Sequence, residues 1–151
     1  AKRKRGTKTC IVVNDVTRPT PTYKLLPPLL EELAACGIPD GDILILVATG
    51  THRDSRPDEL ERLLGEGILG RFPVINHHCQ EKEGMVNLGN TSQGIPVVIN
   101  RLFFEAGLKI LTGSIEPHQS AGFSGGRKSV LPGLASLETL RLHHGYQMRS
   151  P

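Results

Sequence analysis

Apolar residues in this chain fall into short continuous runs that alternate with stretches of helical spacing. TCIVVND (9–15) is such a run, rich in β-branched residues and closed by polar ones, and it predicts a buried strand. YKLLPPLLEELAACG (23–37) carries apolar residues at helical intervals and ends on Gly37, which predicts a helix. The Pro27-Pro28 pair interrupts that pattern, so the helix is expected to begin there, where proline is tolerated in a first turn. GDILILVATG (41–50) predicts the second strand and PDELERLLGEGI (57–68) the second helix. PVIN (73–76) and IPVVIN (95–100) read as a third and a fourth strand, RLFFEAG (101–107) as a helical connector, and LKILTGSIE (108–116) as a fifth strand. A glycine-rich segment follows, then a helix from Ser136 onward. Continuous apolar strands alternating with helices predict an α/β fold in one domain: a mostly parallel, Rossmann-like sheet flanked by helices on both faces.

The residues that break the pattern sit where strands end. Asp15 to Arg18 follow the first strand, Thr49 to Arg53 the second, and Glu116 to Lys128 the fifth. In open parallel sheets ligands bind beyond the carboxyl ends of the strands, so three separate segments are expected to converge on one crevice. In NDVTRP (14–19) the carboxylate of Asp15, the hydroxyl of Thr17 and the guanidinium of Arg18 suit an anionic ligand; an Asp–Arg pair fastening the turn before Pro19 is the plainer reading. ATGTHR (48–53) brings His52 to the mouth of the sheet, as a general base or as an ordinary surface histidine.

EPHQSAGFSGGRKSVLPG (116–133) is the most specific stretch. It holds His118, and its Ser124, Gly125, Gly126 and Lys128 resemble a phosphate-cradling nest, without the spacing of a Walker A loop. So many special residues in a long segment without periodicity point to function rather than to a connector. LHHGYQM (142–148) places His143 and His144 on a helix or at its end, where one imidazole suits a metal and an exposed pair is the simpler alternative. His77, His78 and Cys79 alternate in direction along a strand and are not expected to share one ion.

Composition narrows the classes further. The chain has 151 residues, enough for one domain, with 38% hydrophobic and 22% charged positions and no Trp. No apolar run approaches the roughly 18–20 residues of a membrane span, and no apolar segment follows the basic start to make a signal peptide. The net charge of +3 is more than supplied by Lys2, Arg3, Lys4 and Arg5, so residues 1–8 read as a basic tail or junction ahead of a nearly neutral domain over 9–151. Without a nucleic-acid motif or an aromatic surface behind it, that tip does not argue for nucleic acid. Three widely spaced cysteines, Cys10, Cys36 and Cys79, form no metal pattern and read as reduced thiols of a cytoplasmic protein.

NDVTRP, ATGTHR, LGNTSQGIPVVIN (88–100) and EPHQSAGFSGGRKSVLPG, in this order, resemble the lactate racemase family of nickel-pincer nucleotide enzymes over residues 9–144. The resemblance implies a racemase or epimerase of 2-hydroxy acids, lactate or a related hydroxy or sugar acid, working by hydride transfer. His52 and His118 fall on the family's two catalytic histidines. Lys128 falls on the lysine that carries the nickel-pincer nucleotide through a thioamide, and His144 on the histidine that ligates nickel. Asp15, Thr17 and Arg18 match a segment that contacts cofactor and substrate anions. Departures are His143, where the family has Asn before the nickel histidine, and Asn76-His77-His78, where it has Asn-His-Asp. The resemblance also implies sequence ahead of the first strand and a second, C-terminal domain that closes the cleft, so that this chain reads as part of a two-domain enzyme, weak or inactive alone. A cofactor-carrying domain that keeps the fold without catalysis is the alternative. A nicotinamide dehydrogenase is disfavoured because no GxGxxG follows the first strand.

Overall fold

The computed structural model describes residues 8–118 and 122–143. Its first half runs β1 (Thr9–Asn14), α1 (Thr22–Ala35), β2 (Ile43–Ala48), α2 (Pro57–Leu64), α3 (Ile68–Arg71) and β3 (Val74–Asn76). The second half runs β4 (Met85–Asn90), β5 (Pro96–Asn100), α4 (Arg101–Glu105), β6 (Leu108–Leu111), β7 (Pro117–His118), β8 (Gly122–Phe123) and α5 (Leu137–His143). β1, β2, β3 and β6 form a parallel sheet in the order β3-β2-β1-β6, with Asn14 opposite Ala48 at the carboxyl end of the central pair.

Alternate residues of the central strands face opposite layers, as the pleat requires. Ile11, Val13, Ile45 and Val47 pack against Leu26, Leu30 and Leu33 of α1 and Leu60, Leu63 and Leu64 of α2. Cys10, Val12 and Leu46 face Ile99, Phe103, Ala106 and Leu134. Burial pushes the Cys10 thiol up to about 12, so it is an inert core group rather than a reactive one.

The α/β sheet flanked by helices is as expected, and several details differ. The second helix stops at Leu64 instead of residue 68, and the glycine-rich segment carries the short antiparallel pair β7–β8. α1 starts at Thr22 and carries Pro27 and Pro28 inside it. The two missing N–H groups would have reached the carbonyls of Tyr23 and Lys24, exposed residues whose carbonyls water can satisfy. IPVVIN does not join the parallel sheet. It forms β5, antiparallel to β4, a strand the pattern did not predict, and this hairpin with α4 covers the second face of the sheet where helices alone were expected. The fifth strand ends at Leu111 rather than Glu116, releasing the chain as a loop above the edge of the sheet. No helix among the described residues is long and apolar enough to cross a membrane.

Candidate active site

Parallel strands deliver their carboxyl ends to one edge, and the loops after β1, β2 and β6 enclose a cleft of about 380 Å³ there. Asp15, Arg18, His52, His118, Ser124 and Lys128 all line it, so the three predicted segments do converge. The in-register pairing of Asn14 with Ala48 puts Asp15 beside Thr49, and a tight turn closed by His52 N–H on the Thr49 carbonyl (2.9 Å) folds the imidazole back toward it.

Asp15 is buried, and its bonds assign its atoms. Oδ1 accepts from the backbone N–H (3.1 Å) and the hydroxyl (2.6 Å) of Thr17, while Oδ2 lies 2.5 Å from His52 Nδ1. A carboxylate can only accept, so His52 donates its Nδ1 proton and its Nε2 is left as the bare, basic nitrogen. Such a carboxylate–imidazole pair fixes both the tautomer and the orientation of a general base. Asp15 thus serves His52 directly and Thr17 serves it through Asp15, a role the sequence pattern did not separate from anion contact. The neighbouring Arg53 makes two bonds to Glu59 (2.7 and 2.6 Å), pinning this loop to the first turn of α2 and holding the Glu59 carboxyl down at about 2.

Across the cleft the charge is of the other sign. Lys128 lies on a short 3-10 turn, Gly126–Ser129, and burial followed by the Arg18 guanidinium lowers its pKa below the ordinary lysine value. His118, half-buried on β7, is likewise lowered, by partial burial, then Lys128, then Arg18. Neither Arg18 nor Lys128 forms an ion pair among the described residues, and two such cations beside one opening suit an anion.

The turn beside Lys128 is shaped by glycine. Gly125 has φ +76, and a Cβ there would lie 2.9 Å from the Ser114 carbonyl oxygen, so only glycine lets the loop close. Ser124 lines the cleft, but its hydroxyl donates to the Ser114 carbonyl (2.8 Å) and accepts from Glu116 N–H (2.9 Å), stitching the loop together. Thr20 and Ser114 were not singled out from the sequence. Thr20 donates to Asn14 (3.0 Å), its hydroxyl lies 2.9 Å from that of Ser114, and Ser114 N–H donates to it (3.1 Å). Only the adjacency of β1 and β6 brings residues 94 positions apart together, so no local signal marked them. His143 ends α5, and the metal assignment to His144 lies outside the described residues. No group of three or more His, Cys, Asp or Glu able to hold a metal occurs among the described residues.

Comparison with known proteins gives a consistent result. The family described as lactate racemase N-terminal domain matches residues 1–151. Lactate racemase of Lactiplantibacillus plantarum is 44% identical over 142 residues, covering 93% of this chain and 33% of that protein. Lactate racemase of Thermoanaerobacterium thermosaccharolyticum is 39% identical over 134 residues, covering 89% and 31%. The structure of the latter's apoprotein superposes with a TM-score of 0.81 at 38% identity, covering 89% of this chain and 32% of that one. A Thermotoga maritima protein superposes with a TM-score of 0.77 at 30% identity, covering 95% and 37%. The chain therefore spans about a third of the length of the curated relatives it matches.

Proposed function

The chain belongs to the lactate racemase N-terminal domain family, and on that premise we propose that it supplies the bases and the cofactor attachment point of a 2-hydroxy acid racemase or epimerase. One observation carries the reading: a single cleft holds an imidazole oriented by a carboxylate, a second imidazole, and a lysine amine lowered below its ordinary value. Inverting a 2-hydroxy acid means breaking the C–H bond beside the hydroxyl and re-forming it from the other face. The hydroxyl proton must leave as hydride leaves, and each hydroxyl orientation needs its own base. His52 takes that proton at Nε2 for one enantiomer, and His118 serves the other. Arg18 holds the substrate carboxylate or a cofactor phosphate through paired N–H donors.

Lys128 is the residue to which a nickel-pincer nucleotide is joined, with Ser124, Gly125 and Gly126 shaping the turn beside it and His144 ligating nickel. When bound, that group supplies the acceptor and donor of hydride. The chain's own chemistry fits such a group. An attaching amine must be neutral to react, which burial and Arg18 favour at Lys128, and the absence of a side chain at Gly125 leaves the turn close to the Ser114 backbone. Further domains of the protein are expected to close the cleft and to select among hydroxy acids, of which lactate is the first to try.

The test is full-length protein made alongside the cofactor's biosynthetic enzymes, followed by intact mass, peptide mapping and chiral chromatography of lactate and related acids. The expected result is one adduct, on Lys128, with racemisation lost in Lys128→Ala and nickel retention falling more in His144→Ala than in His143→Ala. An adduct elsewhere, or racemisation surviving in Lys128→Ala, overturns the assignment.

A further inference from the structure

His77 is almost wholly buried at the end of β3, at 1% exposure, and the proposed chemistry makes no use of it. A buried imidazole has to find partners for both ring nitrogens, and this one does. Nε2 lies 3.0 Å from the Ala135 carbonyl, which can only accept, so Nε2 carries the proton. Nδ1 is then an acceptor, and the Asn100 amide stands 3.1 Å from it. The amide nitrogen is the atom that faces the ring, because Asn100 Oδ1 is already committed to the first N–H groups of α4, from Leu102 (3.0 Å) and Phe103 (3.3 Å). One neutral tautomer satisfies every group; the imidazolium would turn a second N–H onto an amide that also donates.

The two ends of this network lead to the two halves of the cleft. The His77 carbonyl accepts the hydroxyl of Thr49, the residue whose own carbonyl closes the turn presenting His52. Ala135 ends a run of consecutive turns that begins at Arg127: Gly133 N–H donates to the Lys128 carbonyl (3.1 Å), Leu134 N–H to Val130 (2.9 Å) and Ala135 N–H to Pro132 (3.1 Å). These bonds link Ala135 to Lys128 without a break. Bonds from Asn100 N–H to the Leu134 carbonyl (2.9 Å) and from Ser136 N–H to the Val98 carbonyl (2.9 Å) anchor the same end of the run, so the His77 bond at Ala135 adds a side-chain anchor to the turn that bears Lys128. A backbone bond from Gly50 N–H to the Gly133 carbonyl (3.0 Å) ties the same two segments.

We propose that His77 is a positioning residue: as a neutral imidazole protonated on Nε2 it fixes the turn that bears Lys128 against the loop that bears His52. Burial keeps the ring below its ordinary value and therefore neutral, His78 acting in the same direction and the Ala135 bond and Glu81 opposing it. The inference bears on the proposed function through Lys128, and its test reads the Lys128 amine itself, so the two can fail separately.

The experiment uses the full-length protein without cofactor, in the wild-type, His77→Gln and His77→Phe forms. Gln can still donate to the Ala135 carbonyl, whereas Phe fills the space with no bond. Trace acetylation with acetic anhydride is followed against pH at the Lys128 peptide, with exposed Lys24 as the internal reference. The rate midpoint reports the amine's surroundings independently of access. Loosening the turn should return it toward the ordinary lysine value, by about half a unit or more in His77→Phe, roughly a threefold loss of neutral amine at fixed pH. His77→Gln should keep the wild-type midpoint. A folded His77→Phe with an unchanged midpoint, or Gln and Phe variants shifted alike, overturns the proposal. Should His77→Phe fail to fold, nitrogen-15 NMR of the wild type decides: a protonated Nε2 and bare Nδ1 are expected, and the opposite tautomer overturns it.

Discussion

Asp15→Asn is the smallest change that separates the orientation of His52 from its presence. Asn has the shape of Asp but must aim an NH2 group at one of its two neighbours. The Thr17 backbone N–H, 3.1 Å from Asp15 Oδ1, is a fixed donor, so the amide oxygen stays on that side and the NH2 faces His52 Nδ1. Nδ1 then has to accept, the ring proton moves to Nε2, and the nitrogen available to the cleft is no longer a base. A misplaced general base costs about 10²–10⁴ in rate, or about 2.7–5.5 kcal/mol of barrier. The fold should hardly notice, since volume and the Thr17 bond persist. Racemisation by the loaded full-length enzyme, followed by chiral chromatography, should fall by that factor while the melting temperature stays within a few degrees. Nitrogen-15 NMR of His52 should show the proton exchanged from Nδ1 to Nε2. An Asp15→Asn variant that keeps more than about a third of the activity, or whose Nε2 stays bare, would refute the orienting role.

Two further outcomes test the scaffold around the cleft. A Cβ on Gly133 would collide with the Ser129 carbonyl and lie 2.9 Å from the Ala48 side chain. Gly133→Ala should therefore destabilise by about 1–3 kcal/mol, a fall of roughly 3–10 °C in melting temperature; a change of under one degree would show that the turn yields freely. Glu59, held at about 2 against its ordinary 4.5 first by Arg53 and then by Arg56, contributes stability that is full above 4.5 and lost as pH falls toward about 2. Melting curves between those limits should fall less steeply for Glu59→Gln than for the wild type, and equal slopes would remove the Arg53 clamp from the account.

The central strands were legible because each is an apolar run long enough to be buried on both faces, and Ile11, Val12, Ile45 and Leu46 are indeed fully inaccessible. Sheet membership was not legible. Val97, Val98 and Ile99 are as apolar as any parallel strand, but their partner is Met85–Asn90, a run with two Asn and a Gly that local propensity disfavours as a strand. Its pairing is set by the neighbour and by the surface it covers. For the site, the ends of strands marked the right edge, since that rule depends only on strand direction. Which atoms meet there depends on register. Asp15 and His52 are 37 positions apart and pair because Asn14 stands opposite Ala48, a fact no motif contains. His77 was set aside as a metal ligand on grounds of strand alternation, but β3 ends at Asn76 and His77, His78 and Cys79 follow it; what removes His77 from metal binding is that both its ring nitrogens are used internally.

The two cleft histidines are not equivalent, and the difference gives a last prediction. His52 leans on a carboxylate, whereas His118 faces Lys128 and Arg18 and is lowered by partial burial and then by those two cations. A base so placed is neutral and ready to accept a proton, but the imidazolium it becomes is penalised while both cations stand. Under the proposed function neither stands alone when the proton moves: the Lys128 amine has become part of a neutral amide-type bond, and Arg18 engages an anion. Lys128→Met should therefore move the His118 titration upward in protein without cofactor, read from its ring resonances by NMR, and Arg18→Met should move it the same way. Burial remains in both variants, so neither should restore the ordinary value in full. A titration that stays put or falls in both would mean the cations do not reach the ring. The same asymmetry frames catalysis in the loaded enzyme. His52→Ala and His118→Ala should each abolish racemisation, yet each retains one base and should still form keto acid from a single enantiomer, the two variants preferring opposite hands. Identical preference in both would mean that these histidines do not face each other across the substrate.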